Sequence, residues 1–200
     1  MADMFKYFCL SLVLLCSISA MAQNESDGNK GKFKQEHIFI GTGLNVGFAN
    51  RTFNLGINPE IGYSITKWLD AGIVTNLNYY SQSPIDVNAF KYQKLSYGAG
   101  SFIRIWPVNF FHIQIQPEFN WINSSEKSSV TGTTYKSNYN AGSLMVGIGY
   151  GSHFLGSRYS YVTLMMDILE DTKSPYRDQF NDPIPVFRAG FGVYLKPRKQ

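Results

Sequence analysis

Few side chains in this sequence have the type and spacing that chemistry requires. The three histidines, His37, His112 and His153, lack the spacing of a zinc site, and no acidic loop resembles an EF-hand. His153 follows Ser152, but neighbouring side chains in a strand point to opposite faces, so the pair is a poor start for a nucleophile and its base. Both cysteines, Cys9 and Cys16, fall in an N-terminal apolar run, which leaves the remainder without a disulfide framework or a thiolate ligand. Gly41-Thr42-Gly43 precedes no predicted helix and is not a nucleotide loop. No cofactor or metal is expected. What remains is a set of charges inside otherwise apolar or alternating segments: Glu60, Arg104, Glu118, Asp167 and Arg188. An ion buried alone is strongly penalised, so such charges must pair. The expected chemistry is an ion-pair network rather than catalysis.

The elements that must hold these charges begin after a removable leader. Lys6 is followed by an apolar run from Tyr7 to Ala20 and then by Ala20-Met21-Ala22, a small-x-small cleavage pattern. Residues 1–22 are therefore read as a cleaved signal peptide that exports the chain. Leu15 before Cys16 argues against lipidation. Residues 23–36 are polar and read as a disordered periplasmic lead-in, 37–196 as one folded unit, and 197–200 as a short basic tail.

From His37 onward the apolar residues recur with period two. Phe111, Ile113, Ile115, Pro117, Phe119 and Trp121 share one face of a strand; His112, Gln114, Gln116, Glu118 and Asn120 share the other. The same alternation predicts eight strands, near 37–48, 53–64, 70–80, 95–106, 111–122, 139–150, 159–168 and 185–195. Most of these exceed the roughly five to six residues usual in soluble sheets. They match the roughly 9 to 11 residues of a tilted membrane strand. Charged residues are only 16% of the chain while aromatics reach 16%, which also favours a large apolar surface. The net charge of +4 is spread over loops and the tail, and no nucleic-acid partner is expected.

Connections differ in length between the two ends: of the four on the outer side 49–52 is short and three are long, and on the other side 151–158 is intermediate. Residues 65–69 and 107–110 are short, whereas 81–94, 123–138 and 169–184 are long and polar, the asymmetry of an outer-membrane barrel. Aromatics gather near strand ends and predict two interfacial girdles: Trp68, Trp106, Phe110, Phe111, Tyr150, Phe154 and Tyr159 on the periplasmic side, and Tyr79, Tyr80, Trp121, Tyr139 and Phe187 on the outer side.

Ala20-Met21-Ala22-Gln23, the stretch from Gly62 to Asp70 and the closing Phe191-Gly192-Val193-Tyr194-Leu195-Lys196-Pro197 resemble the small outer-membrane β-barrel domain proteins, porin-like or PorT-like. The resemblance covers nearly all of the chain after the leader. It implies an eight-stranded antiparallel up-and-down transmembrane β-barrel in the outer membrane, surrounded by lipid. A lumen of that size holds side chains or one small ligand. The five charges are expected to fill it as a plug, and the long loops to meet a surface or envelope partner. The competing readings are a narrow channel, a lipid-modifying enzyme dependent on an inward His112, and a soluble lipocalin-like carrier.

Overall fold

Eight strands, each hydrogen-bonded to the next, close into an antiparallel up-and-down barrel in the computed structural model, which describes residues 34–49, 51–84, 90–177 and 181–196. The leader, most of the lead-in and the tail 197–200 lie outside the described residues. After a 3-10 turn at Gln35–His37 come β1 (Ile38–Ala49), β2 (Thr52–Ser64), β3 (Leu69–Gln82) and β4 (Phe90–Val108). They are followed by β5 (Phe111–Ser128), β6 (Thr134–Ser152), β7 (Arg158–Asp167) and β8 (Val186–Tyr194). Pairing of β1 with β8, from Phe39 opposite Tyr194 to Leu44 opposite Ala189, closes the barrel and leaves the sheet without a free edge there. Residues 35 and 196 lie at the same end, here the terminal end, with the turns β2–β3, β4–β5 and β6–β7. The other four connections define the loop end.

The period-two pattern becomes an inside-out barrel. In β7 exposure alternates without a break, with Tyr159, Tyr161, Thr163, Met165 and Asp167 buried between exposed neighbours. Outward residues such as Ile57, Ile73, Leu77, Ile148, Phe187 and Val193 are large, apolar and exposed, while Asn58, Glu60, Asn76, Arg104, Gln116 and Arg188 are buried in the lumen. A soluble barrel needs the opposite arrangement. β7 and β8, at 10 and 9 residues, are just long enough to cross a bilayer's hydrocarbon layer.

The girdle expectation needs correction at four positions. Trp106 and Tyr159 turn into the lumen, 2% and 3% exposed, and Tyr80 and Tyr139 line a cavity at the loop end. Their parity already placed them there: Trp106 shares a face with Arg104, and Tyr159 with Asp167. Position at a strand end does not override the alternation.

The long loops also shrink. β4, β5 and β6 reach 19, 18 and 19 residues, well beyond the expected ends. Most of the predicted loop 123–138 is a hairpin, paired from Asn123 opposite Asn138 to Lys127 opposite Thr134. In 81–94, Ser81 and Gln82 belong to β3 and residues 90–94 to β4. The outward face of β5 changes at this point from Phe119 and Trp121 to Asn123, Ser125 and Lys127. The backbone ladder continues into a region where both faces meet water, so no apolar alternation marks it.

Small residues let the lumen hold large ones. A Cβ at Gly190 would overlap the Tyr161 ring, and one at Gly192 would overlap Tyr159, both carried by the neighbouring strand. The Gly-rich face of β8 is therefore the seat of the tyrosines of β7.

Candidate functional site in the barrel interior

The five charges, one each from β2, β4, β5, β7 and β8, all point inward, but they do not form one compact cluster. Midway along the lumen Glu60 of β2 meets Arg104 of β4, with Nη2 to Oε2 at 3.1 Å. Glu60 also accepts the hydroxyls of Tyr159 at 2.8 Å and Tyr161 at 3.1 Å, and Arg104 donates Nε to Gln114 Oε1 at 2.9 Å. The guanidinium lies over the Tyr161 ring, 4.2 Å from its centroid. Both ions therefore have further hydrogen-bond partners besides each other, as a buried ion pair requires.

Arg188 and Glu118 sit nearer the loop end and approach only to 4.0 Å. Gln116 joins them more closely: it accepts from Arg188 Nη1 at 3.1 Å and donates to Glu118 Oε1. Gln114 donates to Gln116 at 2.6 Å, so a line of inward glutamines on β5 connects the two charge groups. Asn76 of β3 adds a 3.0 Å bond to Glu118. These amides were visible on the polar face of β5. Their parity with Glu118 was the signal that they belong to the network.

Asp167 stands apart from the two arginines named with it. It accepts Ser174 Oγ at 2.5 Å and the backbone N–H of Leu144 at 2.9 Å, and its ion-pair partner is Arg177, at 3.9 Å. Ser174 and Arg177 belong to the β7–β8 connection, so the expected outer loop 169–184 instead turns partly into the barrel mouth. Tyr176, 6% exposed, reaches Glu118 Oε2 with its hydroxyl at 2.8 Å and packs with Met145, Met165 and Val186. Burial, together with the Glu118 carboxylate, holds that phenol far above its ordinary range, so it remains a donor. Arg177 pins the loop by donating to the backbone oxygens of Asp167, Leu169 and Asn181. Nothing in the sequence periodicity of this segment revealed the return.

Toward the terminal end the lumen is aromatic. Phe39, Phe102, Trp106, Tyr159, Tyr161 and Tyr194 form one buried cluster with Val74. Asp70 sits within it, accepting from Ser64 Oγ at 2.6 Å and from Trp106 Nε1 at 2.9 Å, with His153 Nε2 at 3.2 Å. Serine, histidine and aspartate thus meet, but the order is wrong for nucleophilic catalysis. Asp70 stands between the other two, so His153 does not face the Ser64 hydroxyl as a general base must. Ser64 is 0% exposed, which closes it to substrate. His112 points inward, fully buried, against Thr163 at 2.9 Å and the Trp106 ring. Among the described residues no group of three or more His, Cys, Asp or Glu is placed to hold a metal ion.

A closed antiparallel barrel of eight strands, with a bonded polar lumen and an apolar outer surface, defines a small transmembrane β-barrel protein. No protein-family model matches the chain, and no curated protein matches it. Solved structures similar in fold include Ail, the attachment invasion locus protein of Yersinia pestis (12% identity, covering 78% of this chain and 93% of that one, TM-score 0.44). Others are Neisserial surface protein A (10%, 79% and 96%, TM-score 0.43) and the outer membrane enzyme PagL (12%, 78% and 99%, TM-score 0.37). At these identities and scores nothing about this chain's activity follows from them.

Proposed function

We propose that the protein is a closed outer-membrane barrel of the porin-like or PorT-like kind, with a structural or surface-interaction role and no catalytic step of its own. The observation that carries this reading is the filled lumen. Glu60, Arg104, Gln114, Gln116, Glu118 and Arg188 are each at most 6% exposed and linked by hydrogen bonds, so the lumen at their level is packed with side chains. Interaction then falls to what projects from the loop end. Because the described part of the β7–β8 loop is engaged with the lumen, the surface for an envelope or surface partner among the described residues narrows to the projecting β5–β6 hairpin. Thr134 to Asn138 of that hairpin are exposed throughout. The apolar exterior is covered by outer-membrane lipid, and the terminal end faces the periplasm.

The test is paired. Outer-membrane extract run with and without boiling should give a heat-dependent gel shift, and the purified barrel in planar bilayers should show no conductance above baseline. Steady single-channel steps would overturn the closed-lumen reading. Recovery from soluble periplasm without a gel shift would overturn the membrane reading as well.

A further inference from the structure

At the loop end, between the projecting strands β3 to β6 and the returning β7–β8 loop, lies a cavity of about 610 Å³. Half-buried Tyr80, Tyr92 and Tyr139 line it together with Lys94, Lys173 and Glu126. Its lining is unlike that of the lumen below in one respect. Each of the three buried or half-buried arginines in the described barrel has a carboxylate: Arg104 has Glu60, Arg188 has Glu118 and Arg177 has Asp167. Lys94 is 8% exposed and has no carboxylate within ion-pair distance among the described residues. Its ammonium donates to Pro175 O at 2.9 Å and lies 5.4 Å from the centroid of the Tyr80 ring. An ammonium has three donors, and one carbonyl and the face of one ring leave donors over for a further acceptor. A buried cation facing an open polar cavity is a seat for an anion.

The rest of the lining indicates what kind of anion. The three tyrosines bring aromatic rings and hydroxyls together in the lining, the pairing of apolar ring and polar edge that suits a sugar ring with its C–H face and hydroxyls. Exposed Lys173 adds positive charge at the entry, against the single carboxylate of Glu126. The volume fits a ligand of one or two sugar rings rather than a polymer chain, within the usual range for small-molecule sites. We propose that this cavity is a binding site for a small acidic saccharide, its carboxylate or phosphate on Lys94 and its ring against the tyrosines. This goes beyond the surface-interaction role and stands chiefly on Lys94 and the tyrosines, which that role does not use.

The experiment is calorimetric titration of the folded, detergent-solubilised barrel with glucuronate, glucose 6-phosphate, glucose and inorganic phosphate. The two acidic sugars should bind, with glucose and inorganic phosphate weaker. Lys94→Met keeps the stem and removes the charge, and should weaken both acidic sugars by about tenfold or more, the loss of a charge-assisted hydrogen bond. Lys91→Met, an exposed cation on the same strand, should leave both unchanged. The heat-dependent gel shift verifies that each variant is folded. If Lys94→Met does not fold, Tyr139→Ala serves instead, weakening the sugars while sparing inorganic phosphate. Absence of binding by either acidic sugar, or equal binding in Lys94→Met, overturns the site. Glucose or inorganic phosphate binding as tightly as glucose 6-phosphate overturns its assignment to an acidic sugar.

Discussion

Toward the terminal end the lumen is closed by side chains that the strands themselves supply, whereas toward the loop end, where β7 and β8 stop short of their neighbours, a loop returns to close it. The lower Glu60–Arg104 pair is held by Tyr159, Tyr161 and Gln114, all on strands whose register is fixed by the ladder. The upper carboxylates, Glu118 and Asp167, take Tyr176 and Ser174 from a connection with little regular pairing, a single bridge between Arg177 and Pro183 among the described residues. A charge network can therefore be rigid for two different reasons. Below, it shares the barrel's own cooperativity; above, it depends on a segment that can open locally while the barrel stays folded.

The largest effect should come from the lower pair. Arg104→Met leaves Glu60 buried without its cation and should cost about 3–5 kcal/mol of stability in reversible urea unfolding of the vesicle-inserted barrel. The double variant Glu60→Gln with Arg104→Met should recover a large part of that loss. A cost below about 1 kcal/mol for the single variant would mean that the lower network is not part of the cooperative core.

A smaller and local effect is expected above. Tyr176→Phe removes one charge-assisted hydrogen bond, worth about 1.5–3 kcal/mol, from the docked loop alone. It should appear as faster amide exchange and proteolysis between residues 169 and 184, with the global unfolding midpoint unchanged. Equal loss in loop protection and in global stability would erase the distinction between the two halves.

The smallest effect belongs to the projecting hairpin. Replacing residues 126–135 by an Asn-Gly turn removes strand that touches water on both faces and should shift stability by no more than about 0.5 kcal/mol. If that trimming also released the β7–β8 loop, measured by the same proteolysis, the outer hairpin would count as part of the closure rather than as a free surface.

Much of this fold was legible because a barrel wall imposes one simple rule on its sequence. Alternation identified all eight strands, and parity alone set Glu60, Arg104, Glu118, Asp167 and Arg188 on the inner face. The same rule, followed strictly, would have moved Trp106, Tyr159, Tyr80 and Tyr139 inward; a preference for aromatics at interfaces is weaker than a fixed period of two. Where the rule has no apolar side to act on, it is silent. The outer part of β5, Asn123 to Ser128, is polar on both faces, so its pairing depends on backbone hydrogen bonds that leave no mark on side-chain type.

What the sequence determined by itself was therefore the number of strands, their order and the face each residue takes, because these follow from local periodicity and short turns. Who meets whom inside was decided only by the closed structure. Glu60 and Arg104 are 44 positions apart, and Tyr176 reaches Glu118 across 58. Such contacts depend on barrel closure and on the depth of each residue along the axis. The return of the β7–β8 loop is the clearest case. It follows from two short strands beside longer ones, a notch that exists only once the wall has closed and that the loop fills with Ser174, Tyr176 and Arg177.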